Sequence, residues 1–556
     1  MNRSAVSADP DWWRDAVVYQ VYPRSFRDAD GDGLGDIAGI IEKVDHLAGL
    51  GVDAVWLSPF YPSALADGGY DVDDHRAVDP RLGTLADVAD LVAALHSHGI
   101  RLIVDIVPNH SSDRHEWFRE ALASPPGSAA RARYIFRDGR GPGGDLPPSD
   151  WPSRFGGAAW TRVITDGRPE QWYMHLFSHH QPDFDWTNED VREDFRRTLR
   201  FWADLGVDGF RIDVAHALTK DLSEPLRSKP VIIDFDNPDS GDDVLFDRNE
   251  VHEIYRDWRT IFDGYDPPRI AVAEAAVNAK RRPLYCRPDE LHQAFNFDLL
   301  HAPYDATRFR RIIEENLAIA AETGTSSTWV LGNHDIVRHA TRYGLPTDTS
   351  LEAWLMTGGT EPELDRARGL RRARAATLLM LALPGSAYLY QGEELGLHEV
   401  ADLPLDVLQD PIHVRTDGAE KGRDGCRVPV PWTTHPPHFG FTAATPQLPM
   451  PPDFGAVSVQ AQKADPTSTL SMYRKALALR SELRGSGLAS PALEWHETER
   501  PANLLHFTRG EWGCVMNFGL EDVPLPSRDI LISSSPLAGA ALLGDTTVWY
   551  RVTEGA

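Results

Sequence analysis

The 556-residue chain is too long for one hydrophobic core, so one large domain with smaller ones is expected. Hydrophobic residues at 42% and charged residues at 25% exclude a disordered, fibrous or membrane-embedded chain. A net charge of −27 excludes nucleic acid and anionic membrane surfaces as partners and leaves a neutral or cationic ligand open.

The first residues run into Asp9-Pro10-Asp11-Trp12-Trp13 without the apolar stretch of a signal peptide, and no apolar run approaches the ~18 residues of a membrane span. Cys286, Cys426 and Cys514 are isolated, odd in number and lack metal-ligand spacing. A cytoplasmic protein with inert packing cysteines is expected. The stretch Asp28-Ala29-Asp30-Gly31-Asp32-Gly33-Leu34-Gly35-Asp36 sets oxygen donors at alternate positions between glycines, a pattern that suits a hard cation. A solvated acidic loop is the plainer reading of the same residues, because the terminal glutamate of a helix–loop–helix calcium site is missing.

Short apolar runs predict strands at residues 17–22, 54–57, 102–107, 209–214, 269–273, 294–298, 328–331 and 387–390. Helical stripes fall between them: Ile40, Ile41, Val44, Leu47 and Leu50, then Leu85, Val88, Leu91, Val92 and Leu95. Others cover residues 191–205, 251–262, 309–321 and 367–383. Eight strands alternating with helices predict an α/β fold, a (β/α)8 barrel. Two connections are too long for simple loops. Residues 109–174, rich in Gly, Pro, Trp and Arg, read as an inserted subdomain with little regular structure. An excursion over about 398–465 follows the eighth strand, and a helix at 470–483 closes the barrel. The barrel domain thus spans 1–108 and 175–486, and a C-terminal antiparallel β domain spans 487–556, with strands near 504–508, 513–517 and 529–532.

In such barrels chemistry sits at the C-terminal strand ends. Those ends carry Asp105, Asn109-His110, Arg211, Asp213, Glu274 and Asn333-His334-Asp335. On a strand, Arg211 and Asp213 point the same way, and a carboxylate beside a guanidinium stays ionised and oriented, as a nucleophile requires. Glu274 lies between Ile270-Ala271-Val272-Ala273 and Ala275-Ala276, and apolar surroundings raise a carboxyl pKa, as a proton donor requires. Paired carboxylates without metal-ligand histidines suit acetal chemistry.

The segments Asp105-Ile106-Val107-Pro108-Asn109-His110, Gly209-Phe210-Arg211-Ile212-Asp213-Val214-Ala215-His216, Val272-Ala273-Glu274-Ala275 and Gly332-Asn333-His334-Asp335 resemble, in order and spacing, the four signature regions of the α-amylase family, glycoside hydrolase family 13. Trp12-Trp13-Arg14-Asp15-Ala16-Val17-Val18-Tyr19-Gln20-Val21-Tyr22, Gln181-Pro182-Asp183, Gln391-Gly392-Glu393-Glu394-Leu395-Gly396 and Gly422-Arg423-Asp424-Gly425-Cys426-Arg427 resemble its oligosaccharide-cleaving α-glucosidase branch. The resemblance covers roughly residues 11–483. It implies Asp213 as nucleophile, Glu274 as acid/base and Asp335 as transition-state stabiliser. Tyr70, Asp71, His110, Phe177, Gln181, Arg211, His334 and Arg423 would hold the glucosyl unit, with Arg427 competing for the role of Arg423. It also implies Ca²⁺ or Mg²⁺ held by Asp28, Asp30, Asp32, Asp36 and the carbonyl of Leu34, and no organic cofactor.

An exo-acting, retaining α-glucosidase acting on short α-glucosides, with some glucosyl transfer, is the expected activity, in a monomer or homodimer. A disaccharide isomerase or transglucosylase of the same fold is the alternative. The chain departs from the branch at Phe184 and Asp185, where an aliphatic residue and an amide are expected, and at Ala276, where tryptophan is frequent. Val214, next to the nucleophile, resembles enzymes that favour α-1,6 links; threonine or alanine there goes more often with α-1,4 links.

Overall fold

The computed structural model describes residues 6–233, 235–485, 492–496, 503–537 and 539–552. Eight parallel strands form one sheet: β1 (Val17–Val21), β2 (Ala54–Leu57), β3 (Arg101–Ile106), β4 (Gly209–Ile212), β5 (Ile270–Ala273), β6 (Gln293–Ala294), β7 (Thr328–Val330) and β8 (Ser386–Tyr390). Their order is β7-β8-β1-β2-β3-β4-β5-β6, that of a barrel in chain sequence. Alternation decides which residues fill it. Val18, Trp56, Ile103, Val272, Val330 and Tyr388 pack together in one cluster, while Val17, Tyr19, Val21, Val55, Leu57 and Val104 join the larger core.

The sixth strand is shorter than residues 294–298 and begins earlier. Its backbone leaves the ladder after Ala294, and the hydroxyl of Thr328 on β7 takes over. That hydroxyl accepts the Asn296 N–H at 2.8 Å and donates to the Ala294 carbonyl at 3.0 Å. A side chain thus closes the barrel where strand pairing stops.

The helical stripes fold as their period requires. In Leu85–Ser97 the face of Val88, Leu91, Val92 and Leu95 is buried, and Thr84 and Asp87 form a reciprocal capping box; Leu85, placed on that face by the sequence, is exposed. The Ile40–Leu50 stripe is split at Lys43 into Ile37–Glu42 and Val44–Leu50. The closing helix is Thr469–Gly485.

The inserted stretch has more regular structure than expected. It contains the helix Glu116–Ala123 and a three-stranded antiparallel sheet of Phe136–Arg137, Arg168–Met174 and Trp160–Thr165. Asp166-Gly167, both at positive φ (50° and 75°), make the two-residue turn of its hairpin. At the C-terminus, strands Glu494–Trp495, Leu504–Arg509, Trp512–Asn517, Thr546–Arg551 and Ile530–Ser533 make an antiparallel sheet. It docks on the helix Arg366–Ala382, where Trp549 Nε1 donates to Leu378 O and Arg368 and Arg372 both meet Asp545. The boundary expected at 486/487 and the extreme N-terminus lie outside the described residues.

Candidate active site

The strand ends and the two long connections enclose a cavity of about 490 Å³ at one end of the barrel. Tyr70, His110, Phe177, Asp213, Glu274, Asp335 and Arg423 line it. Asp71, Gln181, Arg211 and His334 stand behind that wall.

Strand pairing sets the centre. The Asp213 N–H continues the ladder to Ile106 O, so Arg211 and Asp213 project on the same side. Arg211 Nη1 donates to Asp105 Oδ1 at 2.8 Å and to Asp213 Oδ1 at 2.6 Å, and its Nη2 lies 2.7 Å from Glu274 Oε2. One guanidinium, buried against Trp56, therefore serves three carboxylates. This corrects the apolar setting expected for Glu274. Ala273 and Ala275 beside it face the packed core, while Ala276 lines the cavity and the Glu274 carboxylate also accepts the Val214 N–H at 3.0 Å. It changes Asp213 as well. Burial, with Glu274 and Asp105 adding to it, pushes the Asp213 carboxyl above the ordinary carboxylate range against the pull of Arg211. Burial likewise pushes Asp105 up to about 7. Such a cluster titrates as a unit.

Asp335 has the opposite setting. Burial alone would raise it, but the guanidinium groups of Arg423 and Arg427 hold its carboxyl well below the usual range. Its Oδ1 accepts from Arg423 Nη1 and from Arg427 Nη2, each at 2.9 Å. Both arginines come from the excursion after β8, so that segment completes the site from outside the barrel. The competition between them resolves into a shared duty. Arg423 also binds Asp67 Oδ1 at 2.9 Å and Asp410 Oδ2 at 2.5 Å.

His334 is fully enclosed, and burial lowers its pKa to about 3, so the ring is neutral. The Gln20 amide donates to Nδ1 at 2.8 Å, which assigns the proton to Nε2, 2.7 Å from Tyr70 OH. The Tyr70 hydroxyl in turn donates to Asp105 Oδ2 at 3.1 Å. His110 Nε2 lies 3.1 Å from Gln181 Nε2, and the Phe177 ring packs on His110 with centroids 5.3 Å apart.

Four partners escaped the sequence reading. Asp67 bridges Arg423, Gln181 and, through its N–H, Asp71; Asp410 anchors Arg423; Phe155 packs on Phe177 and under Arg423. Lys220 is buried between Asp183 (2.8 Å) and Asn109 (2.7 Å). None lies in a signature segment; only Asp67, four residues before Asp71, had a neighbour that pointed to it. The departures at 184 and 185 are structural: Phe184 stacks on Tyr134, and Asp185 caps the turn at Thr187. Val214 is at φ 46°, a left-handed conformation that β-branched residues rarely adopt, and it faces the cavity.

In the acidic loop, Asp28, Asp30 and Asp36 bring carboxylate oxygens within 4.8 Å of one another. Asp28 accepts Gly31 and Gly33 N–H groups and the Thr442 hydroxyl; Asp36 accepts those of Ala29 and Gly39. Some burial and the charges of Asp32, Asp36 and Asp28 raise the Asp30 carboxyl, the mutual repulsion that a cation would relieve. Asp32 is turned instead to the Leu34 N–H at 2.7 Å.

Residues 20–485 match the family model described as alpha amylase, catalytic domain. The chain is 37% identical over 541 residues to a probable alpha-glucosidase of Rhizobium meliloti (strain 1021), covering 93% of this chain and 91% of that one. It is 34% identical to an oligo-1,6-glucosidase of Parageobacillus thermoglucosidasius, covering 85% and 84%. The crystal structure of an alpha-glucosyl transfer enzyme, XgtA, superposes with a TM-score of 0.81 at 34% identity, over 97% of this chain and 99% of that one. Matches of this extent, on a barrel with carboxylates gathered at its mouth, make the chain a member of the α-amylase family of glycoside hydrolases.

Proposed function

We propose that the protein is a retaining, exo-acting α-glucosidase that removes terminal α-linked glucose from short oligosaccharides or α-glucosides and transfers part of it to acceptors other than water. The observation that carries this is the sharing of Arg211 by Asp105, Asp213 and Glu274, facing an Asp335 held anionic by two arginines. Asp213, oriented by Arg211, attacks the anomeric carbon, while Glu274 gives its proton to the leaving oxygen. Asp335 offsets the positive charge that develops on the ring. Glu274 then takes a proton from the incoming water or alcohol, whose oxygen displaces Asp213, so the α-configuration is retained. Asp71 Oδ2 is buried without a hydrogen-bond partner among the described residues, which suits a sugar hydroxyl reaching it beside Asp67, His110 and Arg423.

Asp28, Asp30 and Asp36 fit a hard divalent cation, Ca²⁺ or Mg²⁺, which would neutralise the loop and tie it to residues 441–447. That role is structural. Three free cysteines agree with a reducing, cytoplasmic setting. No described helix is long and apolar enough to cross a membrane.

Asp213→Asn, assayed on p-nitrophenyl α-glucoside, should lose at least 10⁴-fold in kcat, an effect of the size seen when an acting nucleophile is removed. Activity within tenfold of the parent would remove Asp213 from the role. Proton NMR of the first-formed glucose should show the α-anomer.

A further inference from the structure

A second cavity, of about 710 Å³, shares no lining residue with the barrel mouth. It lies among the helices Val44–Leu50, Val459–Lys463 and Thr469–Gly485 and the stretch of the excursion around Trp432. Lys43, Lys463 and Arg474 line it. Acidic residues outnumber basic ones 83 to 56 in this chain, yet none of these three side chains forms an ion pair or a hydrogen bond among the described residues. Lys43 Nζ lies 4.9 Å over the Trp432 ring, and Arg474 keeps a buried Nε without an acceptor. The acidic residues of the same wall are engaged elsewhere. Glu42 holds Arg27 at 3.0 Å, and Asp45 lies 3.3 Å from His98. Behind His46, Glu394 accepts the Tyr19 hydroxyl and the Gly392 N–H, each at 2.9 Å. Burial lowers the pKa of both Lys43 and Arg474, a cost that a bound anion would offset.

The floor of the cavity is fixed. Trp432 Nε1 donates to Phe26 O at 2.7 Å, and the indole packs edge-on against Phe26 and His46, with centroids 5.1 Å apart in each pair. An ammonium and a guanidinium with open donors, held at a half-buried surface, supply the charge-assisted hydrogen bonds that a phosphate group takes. The cavity is larger than a phosphate alone would fill. Its remaining wall offers the Thr433 hydroxyl, the Gln460 amide and the His435 ring, which suit hydroxyl groups. We infer that this cavity binds a phosphorylated polyol or sugar, its phosphate on Lys43 and Arg474 and its hydroxyls on Thr433, Gln460 and His435. The site is separate from the barrel mouth and does not depend on the glucosidase reading.

Calorimetric titration of the whole protein with glycerol 3-phosphate, inorganic phosphate and glycerol tests this. Glycerol 3-phosphate should bind saturably with a Kd below about 1 mM, inorganic phosphate at least threefold more weakly, and glycerol not at all. Lys43→Gln and Arg474→Gln should each weaken the ester about tenfold, the loss of one charge-assisted contact, while keeping the parent's melting temperature and its cleavage of p-nitrophenyl α-glucoside. Absence of saturable binding, or binding that both folded variants keep within threefold, overturns the site. Inhibition of cleavage by the ester, competitive with p-nitrophenyl α-glucoside, would place it in the barrel mouth and overturn the site as well. Inorganic phosphate that binds as tightly as the ester overturns the hydroxyl contacts and with them the organic ligand.

Discussion

Arg211 explains why neighbouring residues mislead when read one at a time. The sequence paired it with Asp213 and set Glu274 in an apolar strand, yet a single guanidinium reaches both and Asp105 besides. The i, i+2 relation of Arg211 and Asp213 was legible because a strand fixes it; the third carboxylate comes from β3, across the sheet. Val214 was legible as a neighbour of the chemistry, but its left-handed backbone and its N–H bond to Glu274 were not. Val214→Ala removes two methyl groups from the cavity wall, and the ratio of kcat/KM for maltose to that for isomaltose should rise about tenfold, within the ~1–3 kcal/mol such contacts command. An unchanged ratio would clear Val214 of any part in linkage choice. A second residue argues through pH. Burial pushes the Glu393 carboxyl up to about 8, and both its oxygens lack a hydrogen-bond partner among the described residues. An unfolded glutamate ionises near 4.5, so between these values the native state holds the extra proton. The stabilising contribution is full below pH 4.5 and is lost as pH rises through 8. Glu393→Gln, neutral throughout, should therefore raise the melting temperature over the parent by a few degrees more at pH 8 than at pH 5; equal differences would refute this.

Among the elements, β6 shows the limit of reading apolar runs. Residues 294–298 have the composition of a strand, but only Gln293–Ala294 pair. Whether the next residues continue the ladder depends on Thr328, 34 positions later, whose hydroxyl supplies both bonds at the seam. Thr328→Val keeps the shape and leaves a buried N–H and carbonyl unpaired, at about 2–4 kcal/mol together. Chemical denaturation should show that loss with an unchanged m-value; a loss below 1 kcal/mol would mean the seam closes without the hydroxyl. The hairpin at Asp166-Gly167 is the reverse case. Its turn signal was present in the sequence and was passed over because the surrounding composition read as irregular.

At the scale of the molecule, the excursion after β8 links two distant features. It supplies Asp410, Arg423 and Arg427 to the cavity, and its residues 441–447 clamp the acidic loop through Phe441, Thr442 and Gln447. Removing a bound cation should therefore loosen the loop and, through this segment, the arginines that hold Asp335. Chelator treatment is expected to lower the melting temperature by several degrees, with recovery on adding Ca²⁺ or Mg²⁺ and no response in Asp28→Asn. A parent protein indifferent to chelation would leave the loop a hydrogen-bonded turn without metal. No described residue of the C-terminal sheet lines the cavity; the sheet covers the barrel helix Arg366–Ala382.

The sequence by itself determined the barrel, the positions of the carboxylates that gather at its mouth and the family, because strand and helix periods are local and the signature segments are contiguous. It determined the inserted stretch and the C-terminal β domain as separate runs of pattern, though not the hairpin within the first. Only the tertiary structure decided what surrounds each charge. Asp67, Asp410 and Lys220 become partners of the site through contacts across 13 to 356 residues of chain. The cavity wall beside Glu274 is likewise assembled from the segments that follow β4, β5 and β6. Burial and Coulomb energy act through space rather than along the chain, so the electrostatics of Asp213 and the lining of the cavity came into view only with the fold.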